Sequence, residues 1–150
     1  QLIEIGPQEL DRYLRFRTDQ VEATARRRWQ RGERCHAIAH GDAIVHCAWS
    51  ATGIAWVDFL RCRLVLPHDV VYSFDAVTAA AYQRQGHSGT RAHYVTGLYG
   101  ALGCSRVWSA TLPENPAALR FQQRLGARPI GQLRRWPWNV GWIDRSLPSS

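Results

Sequence analysis

The most restrictive part of this 150-residue sequence lies between residues 70 and 111. VVYSFDAVT (70 to 78), rich in β-branched and aromatic residues, reads as a strand after the break at Pro67-His68-Asp69. Ala92, Val95, Leu98, Tyr99 and Leu102 then recur at steps of three and four, the period of a helix that Gly103 stops. SRVWSAT (105 to 111) reads as a further strand. Strands of one sheet joined in this way run parallel, since a crossover helix returns the chain to the end from which it left.

The joint between strand and helix, AAAYQRQGHSGT, is a polar turn with two glycines. A helix beginning near His87 to Thr90 directs unpaired N–H groups back toward the loop, and its dipole adds partial positive charge there. Anions, phosphates above all, bind such ends. Gly86 and Gly89 lack a Cβ, so the backbone is open to close approach. Arg84 adds a charged donor, and Ser88 or Thr90 a hydroxyl. Neither G-x-G-x-x-G nor a Gly-Lys-Ser/Thr phosphate loop is present, which excludes the two commonest nucleotide fingerprints.

Around this unit the pattern is that of a mixed α/β domain spanning residues 1 to 150. LIEI (2 to 5) reads as a strand, and after Gly6-Pro7 comes a helix with Leu10, Tyr13 and Leu14 on one side. A second helix is predicted over 18 to 31 from the spacing of Val21, Ala25 and Trp29. CHAIAHGDAIVHCAWS reads as a hairpin whose Gly41 suits the first central position of a type II′ turn. Asn115-Pro116 reads as an N-cap and first-turn pair for a helix that Gly126 ends, and two strands follow around a Trp-rich bend at 136 to 142.

Composition narrows the class. All 19 basic residues are arginine against 12 acidic residues, a net charge of +7 that favours anionic partners. The run TARRRWQRGER (24 to 34) reads as a solvated helix face, or as a dock for a phosphate, an acyl carrier protein or nucleic acid. Cys35, Cys47, Cys62 and Cys104 lack metal or disulfide-scaffold spacing, and free thiols point to a reducing, cytoplasmic setting. Neither a membrane-spanning apolar run nor a signal-peptide pattern is expected. His36 and His40, four positions apart on a strand, lie about 13 Å from each other, too far to share a metal ion. Trp49, Trp56, Trp136, Trp138 and Trp142 read as core or as walls of an acceptor pocket.

Gln83-Arg84-Gln85-Gly86-His87-Ser88 resembles the Q/R-x-x-G-x-G/A loop of the GNAT superfamily, the acyl-CoA-dependent N-acyltransferases. About 29 residues on, NPAALRFQQRLGARPIG (115 to 131) is similar to that family's second signature, and the two stand in the family's order. The resemblance covers roughly residues 70 to 133. Ser88 stands where Gly or Ala is usual, Ala127 where Phe is usual, and Gln122 where many members carry a Tyr that protonates the departing thiolate.

The resemblance implies a mostly antiparallel central sheet with a splayed parallel pair, the family's fourth and fifth strands, flanked by helices. It implies acetyl-CoA or another acyl-CoA as donor and a primary amine as acceptor. The amides of Gln83, Arg84, Gln85, Gly86, His87, Ser88, Gly89 and Thr90 would hold the pyrophosphate, and the backbone of Val77 and Thr78, together with Asn115, the pantetheine arm. YSFDAVTAAAYQRQG is also similar to bacterial members that handle longer acyl chains. Asp75 is the only carboxylate in the second half of its strand and is the first candidate for general base; the alternative is an aspartate satisfied by a nearby arginine or amide. Glu114 is the second candidate. No metal is expected. A catalytically silent acyl-CoA sensor, motivated by Gln122, and a basic nucleic-acid module remain open, as does a homodimer.

Overall fold

The computed structural model describes residues 1 to 135 and 140 to 144. Its strands are β1 (Leu2–Ile5), β2 (Arg34–His40), β3 (Ala43–Thr52), β4 (Ile54–Val57), β5 (Cys62–Val65), β6 (Val70–Thr78), β7 (Arg106–Trp108), β8 (Gly131–Arg135) and β9 (Val140–Asp144). The helices are α1 (Leu10–Phe16), α2 (Glu22–Gln30), α3 (His87–Ala101) and α4 (Pro116–Arg124). The chain divides into two compact units, Gln1–Ala55 with Val65–Ser109, and Trp56–Leu64 with Ala110–Ser150.

The first unit is built on a sheet of order β1-β2-β3-β6-β7, antiparallel except for the β6–β7 pair. This is the mixed α/β, mostly antiparallel arrangement expected from sequence, with strand, helix and parallel strand in the predicted places. The hairpin turn is also as predicted: His40 pairs with Ala43, and Gly41 between them has φ +60, which an L side chain resists. In the second unit, Asn115 caps α4 by accepting the Ala118 N–H at 3.1 Å, and β8 pairs antiparallel with β9. Trp136 and Trp138 of the expected bend, and the side chain of Trp142, lie outside the described residues.

Three expectations need correction. The second helix starts at Glu22, not near residue 18, and Val21 sits at the N-cap, 64% exposed. The cause is local: Arg17 binds Asp19 through Nε at 2.9 Å and Nη2 at 2.8 Å, which holds residues 17 to 20 in a turn. The arginine run is also not a plain solvated face, because Arg28 is buried. The strand predicted over 105 to 111 contracts to Arg106–Trp108.

Side-chain alternation gives the sheet two different faces. One carries Cys35, Ala37, Cys47 and Trp49 against Leu10, Tyr13 and Ala25, with Trp29 and Phe74 alongside. Tyr13, Trp29 and Trp49 pack with ring centroids 5.3 to 6.0 Å apart, and Trp49 Nε1–H donates to the Tyr13 hydroxyl at 3.0 Å. The other face meets α3 with buried polar groups, His36, His46, Ser50 and Arg91, beside an apolar cluster of Val71, Val95 and Tyr99, whose ring lies 6.4 Å from that of His36.

Within β6 the register with β3 changes from Cys47↔Val77 to Trp49↔Phe74, two steps of β3 against three of β6. This is a β-bulge, and Asp75 within it has φ +52. The carboxylate of Asp75 accepts from Arg17 through Nη1 and Nη2, each at 3.0 Å, and from Arg28 Nη1. The Arg28 guanidinium lies 5.2 Å from the ring centroids of both Trp49 and Phe74. A left-handed residue inside a strand is thereby held from two helical segments at once.

Two outcomes follow from these buried groups. Burial, reinforced by the positive charge of Arg91, lowers the pKa of both His36 and His46 to about 4. An unfolded histidine titrates near 6.5, so between roughly pH 6.5 and 4 the unfolded chain binds more protons and stability falls as pH falls. Urea titrations should show a loss of about 4 kcal/mol between pH 7.5 and 5, and His36→Phe should remove about half of that dependence. A flat profile would mean that the imidazoles are not held neutral. Asp75→Asn removes the carboxylate shared by the buried guanidiniums of Arg28 and Arg17, the latter still paired with Asp19, and should lower unfolding free energy at pH 7 by about 3 kcal/mol.

Candidate functional site

The end of β6 and the start of α3 are joined by residues 79 to 86. β6 pairs with β7 only through Val70, Val71 and Tyr72. From Ser73 onward, no strand among the described residues covers that edge. The bulge at Asp75 lies in this uncovered half, and the strand continues to Val77 and Thr78, still paired on its other side with Cys47 and His46. Ala79 N–H, donating to Val45 O at 2.9 Å, prolongs that side of the ladder.

The chain then makes a 3-10 turn over Ala80–Tyr82 and enters the loop of Gln83, Arg84, Gln85 and Gly86. Arg84 has φ +62 and Gly86 φ +84, with Gln85 between them outside the left-handed region. Alternation of this kind turns successive N–H groups toward one concavity. The first helical bond of α3 is Thr90 N–H to Gly86 O at 3.0 Å. The N–H groups of Arg84, Gln85, Gly86, His87, Ser88 and Gly89 find no acceptor among the described residues. No side chain caps the helix, and a Cβ built on Gly86 or Gly89 would meet nothing within 4 Å. An open row of donors at the positive end of a 15-residue helix can hold an oxyanion group.

The other sequence candidates divide. Ser88 turns inward, its Oγ 3.3 Å from Thr78 Oγ1. His87 stands among rings, 5.3 Å from His40 and 6.1 Å from Tyr82 by centroid. Asn115 caps α4, and Glu114 beside it is exposed. Gln122 Nε2–H donates to Thr111 Oγ1 at 2.6 Å.

Asp75 takes the alternative reading allowed from sequence, an aspartate satisfied by arginine. Burial pushes its carboxyl up, but the hydrogen bonds and charges of Arg17 and Arg28 outweigh this and hold it below the usual carboxylate range. A base working near neutrality needs the opposite shift and a free lone pair. Its role in the geometry is to fix the bulge.

Sequence reasoning missed three residues here. Arg17 and Arg28 were detectable in principle, because a carboxylate in the middle of a buried strand requires a cation. His46 gave no such signal. It pairs with Thr78 in register, and its Nδ1 lies 2.8 Å from Thr78 Oγ1.

No protein-family model matches the sequence, and no curated protein matches it. Solved structures do. An aminoglycoside N-acetyltransferase in complex with CoA superposes with a TM-score of 0.72 at 15% identity, covering 91% of this chain and 97% of that one. A Trypanosoma brucei acetyltransferase gives 0.66 at 17% identity, over 91% and 97%. An aminoglycoside acetyltransferase from an uncultured soil metagenomic sample, in complex with sisomicin, gives 0.68 at 12% identity, over 94% and 96%. The chain has the fold of the GNAT acetyltransferases.

Proposed function

We propose that this protein is an N-acyltransferase that moves an acyl group, acetyl in the simplest case, from coenzyme A to a primary amine. The observation that carries the proposal is the open amide row at residues 84 to 89, set at the end of a strand whose edge from Ser73 to Thr78 is covered by no strand among the described residues. A diphosphate fits the first feature and an amide-bearing pantetheine arm, running like an added strand, fits the second. The fold neighbours solved with CoA and with an aminoglycoside support a CoA donor and an amine acceptor.

In this reading the donor's diphosphate accepts from the amides of Gln85 to Gly89, with exposed Arg84 as an added cation. The pantetheine amides pair with the β6 edge near Val77 and Thr78, and a β6 N–H faces the thioester carbonyl. The amine nitrogen attacks that carbon, a C–N bond forms, and the oxyanion is stabilised by the N–H. The C–S bond then breaks and the thiolate leaves with its electron pair. A thiol has a reference pKa of about 8.5, so the departure needs no strong acid. Gln122, already donating to Thr111, is not one. The amine proton passes to water.

The nucleic-acid reading loses its main support, because the arginine run is largely neutralised within the chain. Arg26 pairs with Glu22 at 2.6 Å, Arg31 with Glu33 at 2.8 Å, Arg34 with Glu4 at 2.5 Å, and Arg28 with Asp75. The silent-binder reading differs from the enzymatic one in turnover alone.

Acetyl-CoA at about 100 times its Kd should stabilise the fold by about 2.7 kcal/mol, seen as a rise in Tm. Gly86→Val, which forces a branched side chain to φ +84, should weaken CoA binding by about tenfold or more. Offered a panel of primary amines, the protein should release free CoA thiol. Binding without thiol release on any amine would establish a silent binder. Absence of CoA binding, together with DNA or RNA binding that collapses with salt, would establish the nucleic-acid reading.

A further inference from the structure

The first turn of α3 has little apolar attachment to the sheet. Its buried apolar contacts begin at Val95 and continue at Tyr99, two turns beyond Gly86. Apart from the ring contact of His87 with His40 at 5.3 Å, what joins its start to the strands is polar. Ser88 Oγ lies 3.3 Å from Thr78 Oγ1, and Thr78 Oγ1 lies 2.8 Å from His46 Nδ1. One turn further, Arg91 donates through Nη1 and Nη2 to Ser73 Oγ at 3.1 and 3.2 Å, and through Nη2 to Ser50 Oγ at 3.2 Å. The first tie reaches the amides of residues 86 to 89 directly, because Ser88 is one of that row.

His46 is an expensive residue for this position. It is 1% exposed, and its Nε2 has no partner among the described residues. An unsatisfied buried nitrogen costs about 1–3 kcal/mol, and such exceptions to local consistency gather where a site needs them. The groups facing it are Thr78 from β6, Arg91, Ser88 and His87 from α3, and Val77 through its backbone. None is a carboxylate, so a protonated imidazole would have no counter-charge there.

We infer that His46 is a positioning residue for the anion-binding turn: through Thr78 and Ser88 it fixes the first turn of α3, and with it the direction of the open amides, from inside the sheet. The inference rests on the acyl-CoA reading only for the identity of the anion. The link from His46 to α3 is a property of the free protein. His46 touches neither donor nor acceptor, and its effect falls on CoA affinity rather than on the chemical step.

The test uses His46→Leu, which removes the bond to Thr78, and His46→Asn, whose amide can stand in for Nδ1. Thr78→Val and Ser88→Ala break the same chain at its other members and guard against a misfolded Leu variant. Amide hydrogen exchange at Thr90 and Arg91, the first protected amides of α3, is read in the protein without ligand, and CoA affinity by calorimetry. His46→Leu and Thr78→Val should each speed exchange at these amides about tenfold and weaken CoA by a similar factor, and His46→Asn should return both to within about threefold of wild type. Losses from His46→Leu and Ser88→Ala should fall short of additive, as expected of residues in one hydrogen-bonded chain. Unchanged exchange in folded His46→Leu and Thr78→Val variants, or full additivity, overturns the inference. If the wild-type protein binds no CoA while His46→Leu still speeds exchange, the positioning role stands and the acyl-CoA reading falls.

Discussion

The ion pairs of Asp75 with Arg17 and Arg28 are the constraint on which the site geometry depends. A strand residue at φ +52 is sparsely populated for a side chain with a Cβ, although aspartate tolerates it better than most. Left to itself, the bulge would relax into regular pairing and keep β6 straight. Three hydrogen bonds from two guanidiniums over-determine the alternative. Arg28 is in turn fixed between Trp49 and Phe74, so the bulge is tied to the aromatic core of the α1–α2 face. A β-bulge bends its strand and increases local twist. That bend accounts for pairing with β7 ending at Tyr72 while pairing with β3 resumes at Val77.

The two sheet faces divide the work. The α1–α2 face is densely aromatic, with the one polar tip of Trp49 satisfied by Tyr13. It supplies stability and fixes the bulge. The interface with α3 carries His36, His46, Ser50, Ser73 and Arg91, three of them with a nitrogen that has no partner among the described residues. By area alone such an interface is a poor choice, since apolar residues of the same volume would bury surface at no polar cost. Its advantage is directional: hydrogen bonds fix azimuth as well as distance, and a row of amides aimed at a ligand needs its azimuth fixed.

Local chemistry was legible in the sequence, and long-range chemistry was not. The hairpin at Gly41, the start of α3 at His87 and the cap at Asn115 all follow from residues within four positions of one another. The parallel crossover followed from element order. Asp75 was singled out as a candidate base because its partners lie 58 and 47 residues away, on segments whose helical periodicity says nothing of what they meet across the sheet. Val21 matched the spacing of Ala25 and Trp29, yet the Arg17–Asp19 pair closes a turn before it. His46 gives no local signal in the sequence. Its significance is a register fact, its place opposite Thr78, and register across a bulged hairpin is set by the assembled sheet.

Net charge was a misleading guide to where an anion would bind. Four of the five arginines in the densest run are matched, by Glu22, Asp75, Glu33 and Glu4, so the formal +7 is not concentrated where the sequence is most basic. Arg91 is the contrasting case: 4% exposed, bonded to two serine hydroxyls, and without a carboxylate partner among the described residues. Desolvation lowers its pKa, yet a guanidinium remains charged at neutral pH. Its charge therefore acts from one turn inside the same helix end that presents the open amides, in surroundings of low dielectric where screening by water is weak. Fixed dipoles and one buried cation, all carried by α3, make the start of that helix the natural place for an anion. An exposed arginine patch would lose most of its attraction in salt.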